Sequence, residues 1–333
     1  MFFNYNIIIM IEYLSNLSWL TPQIDFLLLL QNLRICHFEM FNNLFLSITM
    51  IGEFWLPTLI CAVFYWCIDC KSGTYLFMLS AYNIFFVHLF KMMACIYRPW
   101  VLSDKIHPVE KAFAIAAGYS FPSGHSAQSS ATIGGLAYLL RKKIWISVLL
   151  VILVFFVGFS RLWLGVHTPQ DVVVGLLIGF SLVFILNNVV NWAENDKNRY
   201  LCILGITNAL IIVVLAYLCY FKSYPMDYVN GKLLVDPHHA LQVSVFCYGY
   251  IAGILNGLCL CRRFFPFDIQ GVNNKTKILR GLIGAVIVIL SIKMGIKYLF
   301  CDMCNFKFVF IMSFIIGIFI TAGYPYIFKK LRF

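Results

Sequence analysis

The chain has 333 residues, of which 62% are hydrophobic and only 12% charged, with a formal net charge of +11. These proportions exclude an intrinsically disordered chain and an ordinary water-soluble domain, both of which need far more polar sequence. They also argue against nucleic acid as a partner, because the cations sit in separate loops rather than along one continuous face.

The opening segment, MFFNYNIIIMIEYL, has no basic start and does not read as a cleavable signal peptide. Residues 23–36 form a short apolar stretch with charged ends. That stretch predicts an interfacial helix lying on the membrane, with a buried helix of the soluble type as the other reading. From residue 43 onward, apolar runs of the length that crosses a bilayer, roughly 20 residues, follow one another. They fall at 43–68, 74–96, 122–140, 143–160, 169–190, 201–221, 240–261, 279–299 and 307–328. The runs lack the short alternation of barrel strands, and only helices or closed barrels satisfy backbone polar groups in lipid. The predicted fold is therefore all-α, a polytopic transmembrane helical bundle of about nine spans. The chain divides into an N-terminal interfacial segment at 1–42, a membrane core at 43–190 that carries the chemical motifs, and additional transmembrane helices at 191–333 without one.

The cations mark topology. Lys71, Arg141, Lys142, Lys143, Lys197, Arg199, Arg262, Arg263, Lys275, Lys277, Arg280, Lys329, Lys330 and Arg332 fall on one side, in alternate loops and the tail. The positive-inside rule makes that side cytoplasmic and puts the N-terminus and the 97–121, 161–168, 222–239 and 300–306 loops outside. Among the 12 cysteines, Cys67 with Cys70 and Cys301 with Cys304 have the spacing of half a zinc site. On this topology the pairs lie on opposite membrane faces, so no shared metal is expected and the cysteines read as small apolar residues. A Cys301 to Cys304 disulfide is the exception to test if the outside is oxidising.

Three motifs carry chemistry. The first holds Lys91 and Arg98 followed by Pro99. If the helix continues to Pro99, close to two turns separate the cations and they share one face, about 10 Å apart along the axis. A lysine so deep in a membrane helix calls for a polar cavity or a snorkelling path to the interface. The second is Pro122-Ser123-Gly124-His125, where the chain enters the third span. Pro122 suits a first helical turn, and free N–H groups at Ser123 and Gly124 would cradle an anion. A plain helix cap before a small-residue packing helix is the other reading. The third runs from Ser160 and Arg161 through His167 to Asp171. Thr168 and Pro169 read as cap and first turn, which brings Asp171 close enough to accept the ring N–H of His167 and leaves the other nitrogen to attack. An acidic residue that merely favours a helix start would look the same.

Together the motifs resemble the type 2 phosphatidic acid phosphatase superfamily, with its Lys-x6-Arg-Pro, Pro-Ser-Gly-His and Ser-Arg-x5-His-x3-Asp signature, over residues 74–190. The resemblance implies a six-helix-type phosphatase core. It also implies that Lys91, Arg98, Ser123, Gly124 and Arg161 bind phosphoryl oxygens, that His167 is the nucleophile oriented by Asp171, and that His125 protonates the leaving oxygen. Three cations and helix N–H groups meet the charge demands of phosphoryl transfer, so neither a metal nor another cofactor is expected.

The membrane setting favours a lipid phosphate monoester or a prenyl diphosphate as substrate. The nine-span layout with an outer N-terminus resembles glucose-6-phosphatase, which makes a soluble sugar phosphate the alternative. A non-catalytic lipid binder or transporter is a third possibility, supported by the intramembrane Lys91 and Glu53. Vanadate-dependent peroxidases share the anion cradle but look like soluble proteins. The charge rule suits a bacterial cytoplasmic membrane with the site on its outer face, and equally a lumenal site in an endomembrane; it leaves the oligomeric state open. Secondary candidates are His88, one turn before Lys91, Glu53 in the first span, and the loop residues His107, His238 and His239. The 222–239 loop lies on the same side as the motifs and is a candidate cover for the site.

Overall fold

The computed structural model describes residues 19–36, 38–229, 231–267, 269–299 and 305–331. The opening MFFNYNIIIMIEYL and the Cys301–Cys304 pair lie outside them. The elements are α1 (Thr21–Cys36), α2 (Phe41–Thr49), α3 (Trp55–Val63), α4 (Cys70–Ala94), the short α5 (Pro99–Leu102), α6 (Glu110–Ile115), α7 (Gly124–Leu139) and α8 (Ile144–Trp163). They continue with α9 (Pro169–Glu194), α10 (Lys197–Ala216), a two-residue hairpin of β1 (Tyr228–Val229) and β2 (Lys232–Leu233), α11 (Pro237–Phe264), α12 (Asn274–Leu299), α13 (Phe306–Ile318) and α14 (Tyr324–Leu331). The protein is an all-α integral membrane protein, as its sequence predicts.

Among the described residues, seven helical stretches are long and apolar enough to cross a membrane, and an eighth is formed if the pair Phe41–Gly52 and Trp55–Ile68, bent by 52°, counts as one span. The expected run at 122–140 is the difference. It folds as α7, only 16 residues and thus about 24 Å long. This helix is the centre of the bundle rather than a lipid-facing wall: Ser126 through Gly135 are all buried. Its central Gln128 is satisfied by a neighbouring helix, with Asn83 donating to Gln128 at 2.7 Å and Gln128 donating to Ser80 at 2.6 Å. A helix screened from lipid on all sides does not need the hydropathy of a lipid-facing one.

Close approach to α7 is achieved by glycine. A Cβ on Gly175 of α9 would lie 2.6 Å from the Ser123 carbonyl, and one on Gly179 would lie 2.0 Å from Ser130 Oγ. The same device joins the last helices. Gly249, Gly253 and Gly257 of α11, one turn apart, face Ser313, Gly317 and Thr321, and added Cβ atoms would come within 2.0–2.2 Å of that partner strip. Helix α11 in turn packs on α4, where Tyr248 donates to the Phe85 carbonyl and His88 Nδ1 lies 3.2 Å from Ser244 Oγ. His88 therefore contacts the added helices, not the motif residues.

Helix α1 turns Leu29, Leu33 and Ile35 outward and buries Leu27, Leu30, Gln31 and Arg34. Gln23 accepts from the Gln170 N–H, Gln31 pairs with Lys105 and His107 of the 103–109 loop, and Arg34 donates to the Trp163 carbonyl at 2.7 Å and to that of His107. A helix anchored inward through Gln23, Gln31 and Arg34, with exposed leucines, suits a lipid-facing strap.

Candidate active site

The first motif is not one continuous helix. Helix α4 ends at Ala94 because Cys95 adopts φ 50°, in the left-handed region. Arg98 then sits on extended backbone before Pro99, which starts α5 instead of ending α4. The steric conflict between a proline ring and a helical preceding residue accounts for this. The fold brings Lys91 and Arg98 into the same site by a turn rather than by helical period. Lys91 Nζ donates to the carbonyls of Tyr119 and Ser120 at 2.9 and 3.0 Å. Arg98, 6% exposed, donates to the carbonyls of Gly118, Ala117 and Val166 and, through Nη1, to His167 Nε2 at 2.9 Å. Most of its five donors are thus spent on holding the 116–120 and 164–167 loops together.

The second motif also departs from expectation. Ser123, not Pro122, is the junction: Ser123 is the N-cap and α7 begins at Gly124, while Pro122 follows a cis peptide bond outside the helix. The Ser123 N–H is not free, since it donates to the Asp171 carbonyl at 2.9 Å. The Ser123 oxygen accepts from Ser126 Oγ at 2.8 Å, which leaves its own proton to point elsewhere. A Cβ on Gly124 would meet only Val87, at 3.9 Å. Protein packing does not demand glycine there. His125 follows in the first turn, with Nε2 buried and unpartnered.

The third motif folds as read. Thr168 caps α9, Pro169 opens it, and Asp171 completes a capping box. Asp171 Oδ2 accepts from the Thr168 N–H at 2.9 Å and lies 3.3 Å from His167 Nδ1. The turn before His167 is fixed by Gly165 at φ 72°, where a side chain would be strained and a Cβ would press on Pro108 at 3.2 Å. Arg161, 2% exposed, donates Nη1 to Thr49 Oγ1 at 2.7 Å and has its Nε buried without a partner. His167 is itself 2% exposed, and burial together with the charges of Arg98, Arg161 and Lys91 holds its imidazole well below the usual histidine range.

Three contributors escaped the sequence reading. Ser120, fully buried, donates to Asp171 Oδ2 at 2.6 Å and lies 3.3 Å from His167 Nδ1. Thr49 anchors Arg161. Gly52, at the break in the first span, is pressed against the backbone of His125, which a Cβ would approach to 2.6 Å. Ser120 had one available signal, its place two residues before Pro122 inside the motif string; for Thr49 and Gly52 the signal was the neighbouring intramembrane Glu53. Glu53 sits at the same break, accepts from Trp55 Nε1 at 3.1 Å and interacts electrostatically with Arg161. Of the loop candidates, His107 holds α1, and the His238 ring stacks on Phe306 at 4.8 Å. The 222–239 loop docks beside the site, with Tyr97 donating to Asp227 at 2.6 Å one residue before Arg98.

The arrangement presents an imidazole nitrogen, two buried side-chain nitrogens without partners and a helix start capped by Ser123. That combination can accept a tetrahedral anion and attack it.

Comparison with known proteins finds membrane phosphatases. A sequence model of the PAP2 superfamily matches residues 72–195, and one described as the transmembrane extension of PAP2 superfamily phosphatases matches 245–333. Lipid A 4'-phosphatase of Bacteroides thetaiotaomicron is 42% identical over 62 residues, which is 19% of this chain and 27% of that protein. Undecaprenyl-diphosphatase of Sulfolobus acidocaldarius is 39% identical over 67 residues, 20% of this chain and 32% of that one. Phosphatidylglycerophosphatase B of Bacillus subtilis is 27% identical over 104 residues, 29% and 50%. The chain thus spans between a quarter and half of the length of these relatives. No solved structure matches it. With one match over the motif helices and a second over the helices that buttress them, the chain belongs to the PAP2 superfamily.

Proposed function

We propose that this protein is a membrane phosphatase that hydrolyses a lipid phosphate monoester or a prenyl diphosphate through a phosphohistidine intermediate. The observation that carries the reading is the pairing of Arg98 Nη1 with His167 Nε2 while His125 Nε2 and Arg161 Nε stay buried and unpartnered beside them. A guanidinium only donates, so Nε2 holds the lone pair and Nδ1 carries the proton toward Asp171. The phosphoryl group takes the space before Gly124, receives Arg161 Nε, the Ser123 hydroxyl and the α7 N-terminus, and draws Arg98 from the imidazole onto its own oxygens.

In the first step His167 Nε2 forms a bond to phosphorus as the bond to the leaving oxygen breaks, and His125 gives that oxygen its proton. In the second, water attacks phosphorus, His125 takes the water proton, and the P–N bond breaks to release inorganic phosphate. Lys91, Arg98 and Arg161 compensate the equatorial charge, so the chemistry is proposed to run without a metal.

The names of the relatives support a lipid-linked substrate: lipid A phosphate, undecaprenyl diphosphate and phosphatidylglycerophosphate all join an anionic phosphate to a chain that stays in the bilayer. Lys71 and Lys91 stand at opposite ends of α4, about 30 Å apart, so the motifs face away from the cation-rich side. By the positive-inside rule the site faces the non-cytoplasmic side, which in a bacterial cytoplasmic membrane is the outer face.

The test is phosphate release by the purified protein, before and after EDTA, from phosphatidate, phosphatidylglycerophosphate, undecaprenyl diphosphate and glucose 6-phosphate. The proposal expects EDTA-resistant turnover of one or more lipid substrates. Selective turnover of glucose 6-phosphate would overturn the lipid assignment, and loss of activity in EDTA with rescue by a divalent ion would overturn the metal-free one.

A further inference from the structure

Ser120 belongs to no part of the reaction as proposed above, yet it bonds to the first and third motifs and stands just before the second. Its N–H donates to the Ile96 carbonyl at 2.7 Å and its carbonyl accepts from Lys91 Nζ at 3.0 Å, which binds it to the first motif. Its hydroxyl donates to Asp171 Oδ2 at 2.6 Å, and the same oxygen lies 3.3 Å from His167 Nδ1. It stands two residues before Pro122 and is fully buried.

The direction of these bonds follows from the groups themselves. An ionised carboxylate only accepts, so the Ser120 proton is committed to Asp171 and its oxygen turns a lone pair toward Nδ1. The ring N–H of His167 therefore faces two acceptors at equal distance, the Ser120 oxygen and Asp171 Oδ2, each at 3.3 Å. Asp171 also carries the Thr168 N–H, so its one oxygen is shared among three donors. A second acceptor on Nδ1–H relieves that crowding and fixes the ring plane.

We propose that Ser120 is a positioning residue for the nucleophile. Together with Asp171 it holds the proton on Nδ1 of His167, keeps Nε2 aimed at the phosphoryl site, and stabilises the positive charge the ring gains when Nε2 bonds to phosphorus. This rests on the phosphohistidine reading, and it makes the orienting group a Ser–Asp pair instead of a lone carboxylate.

The experiment is a double-mutant cycle on kcat and KM with Ser120→Ala, Asp171→Asn and the double variant, with His167→Ala as control. Removing an outer hydrogen-bond partner of this kind is expected to lower kcat roughly 10–100-fold while KM moves less than about twofold. In the Asp171→Asn background the Ser120 substitution should cost little more, because both act on one N–H. Ser120→Cys, similar in size but weak in hydrogen bonding, should fall with Ser120→Ala and serves in its place if the alanine variant does not fold. Parental kcat in both Ser120 variants, or penalties that simply multiply in the double variant, would overturn the assignment. Turnover by His167→Ala would instead overturn the phosphohistidine reading, so the two failures are separable.

Discussion

Arg98 Nη1 lies 2.9 Å from His167 Nε2, and the same nitrogen donates to the carbonyl of Val166, the residue before. One guanidinium thus both positions the histidine loop and, on the proposed mechanism, occupies the attacking nitrogen until a phosphoryl group draws it away. Lysine has neither the fork nor the reach to do both. Arg98→Lys is expected to lower kcat/KM by about 100-fold or more, on the scale of losing a preorganised anion donor. Phosphate release in detergent micelles measures it; a loss below tenfold would show that the fork is dispensable.

The second prediction concerns pH. Burial and the neighbouring cations depress the His167 imidazole in the free protein, so it is neutral, and able to attack, above a folded-state pKa that lies below the ordinary 6.5. Activity owed to the neutral ring is lost only as pH falls through that depressed value. The acid limb of kcat/KM, corrected for ionisation of the substrate phosphate, should therefore fall below pH 6.5, since that profile reports the free enzyme. A limb above that value that moves on substitution of Asp171 would count against it.

Two glycines separate binding from packing. A Cβ added at Gly124 meets only Val87, at an ordinary 3.9 Å, so Gly124→Ala should fold normally and raise KM by obstructing the proposed phosphoryl site. Gly179 is pressed on Ser130 and Ala127, so Gly179→Ala should destabilise the bundle by about 1–3 kcal/mol through overpacking. Thermal melting in detergent alongside KM distinguishes them; equal melting losses would erase the distinction.

The residues that converge on the site and the all-α membrane class are legible in the sequence; the number of spans and the local path of the chain are less so. Lys91, Arg98, His125, Arg161, His167 and Asp171 were readable because few residue types can do what an anion site needs, and the Thr168–Pro169 start of α9 has a local signature. The helix expected to run to Pro99 failed at Cys95, whose left-handed conformation no residue preference announces. The anion cradle lost its Ser123 N–H to Asp171 because Gly175 lets α9 approach, a tertiary effect. The four-residue glycine spacing of α11 was present in the sequence, but a packing motif carries no chemistry and is overlooked when chemistry is sought.

That strip supports a fourth prediction. Gly253→Val places a branched side chain where an added Cβ already lies 2.2 Å from the Phe314 carbonyl. The α11–α13 pair should separate, lowering the melting temperature. Because α11 backs α4 through Tyr248 and Ser244, activity should fall with it. A variant with unchanged melting temperature and activity would show that the strip is not a structural contact.

Helix α1 supports a fifth. Arg34→Leu removes the bonds to the Trp163 and His107 carbonyls and leaves both short of a donor. Since Trp163 precedes the His167 turn, kcat should fall severalfold with the motif residues intact, and Arg34→Lys should restore part of it. Parental kcat in Arg34→Leu would limit α1 to membrane contact.

The most direct measurement is to trap the covalent intermediate. Protein mixed with a radiolabelled lipid phosphate, quenched in alkali during turnover and digested, should yield an acid-labile, alkali-stable phosphopeptide containing His167, absent from His167→Ala. Turnover with no label on that peptide, or phosphate release by His167→Ala at the parental rate, would contradict nucleophilic attack by His167.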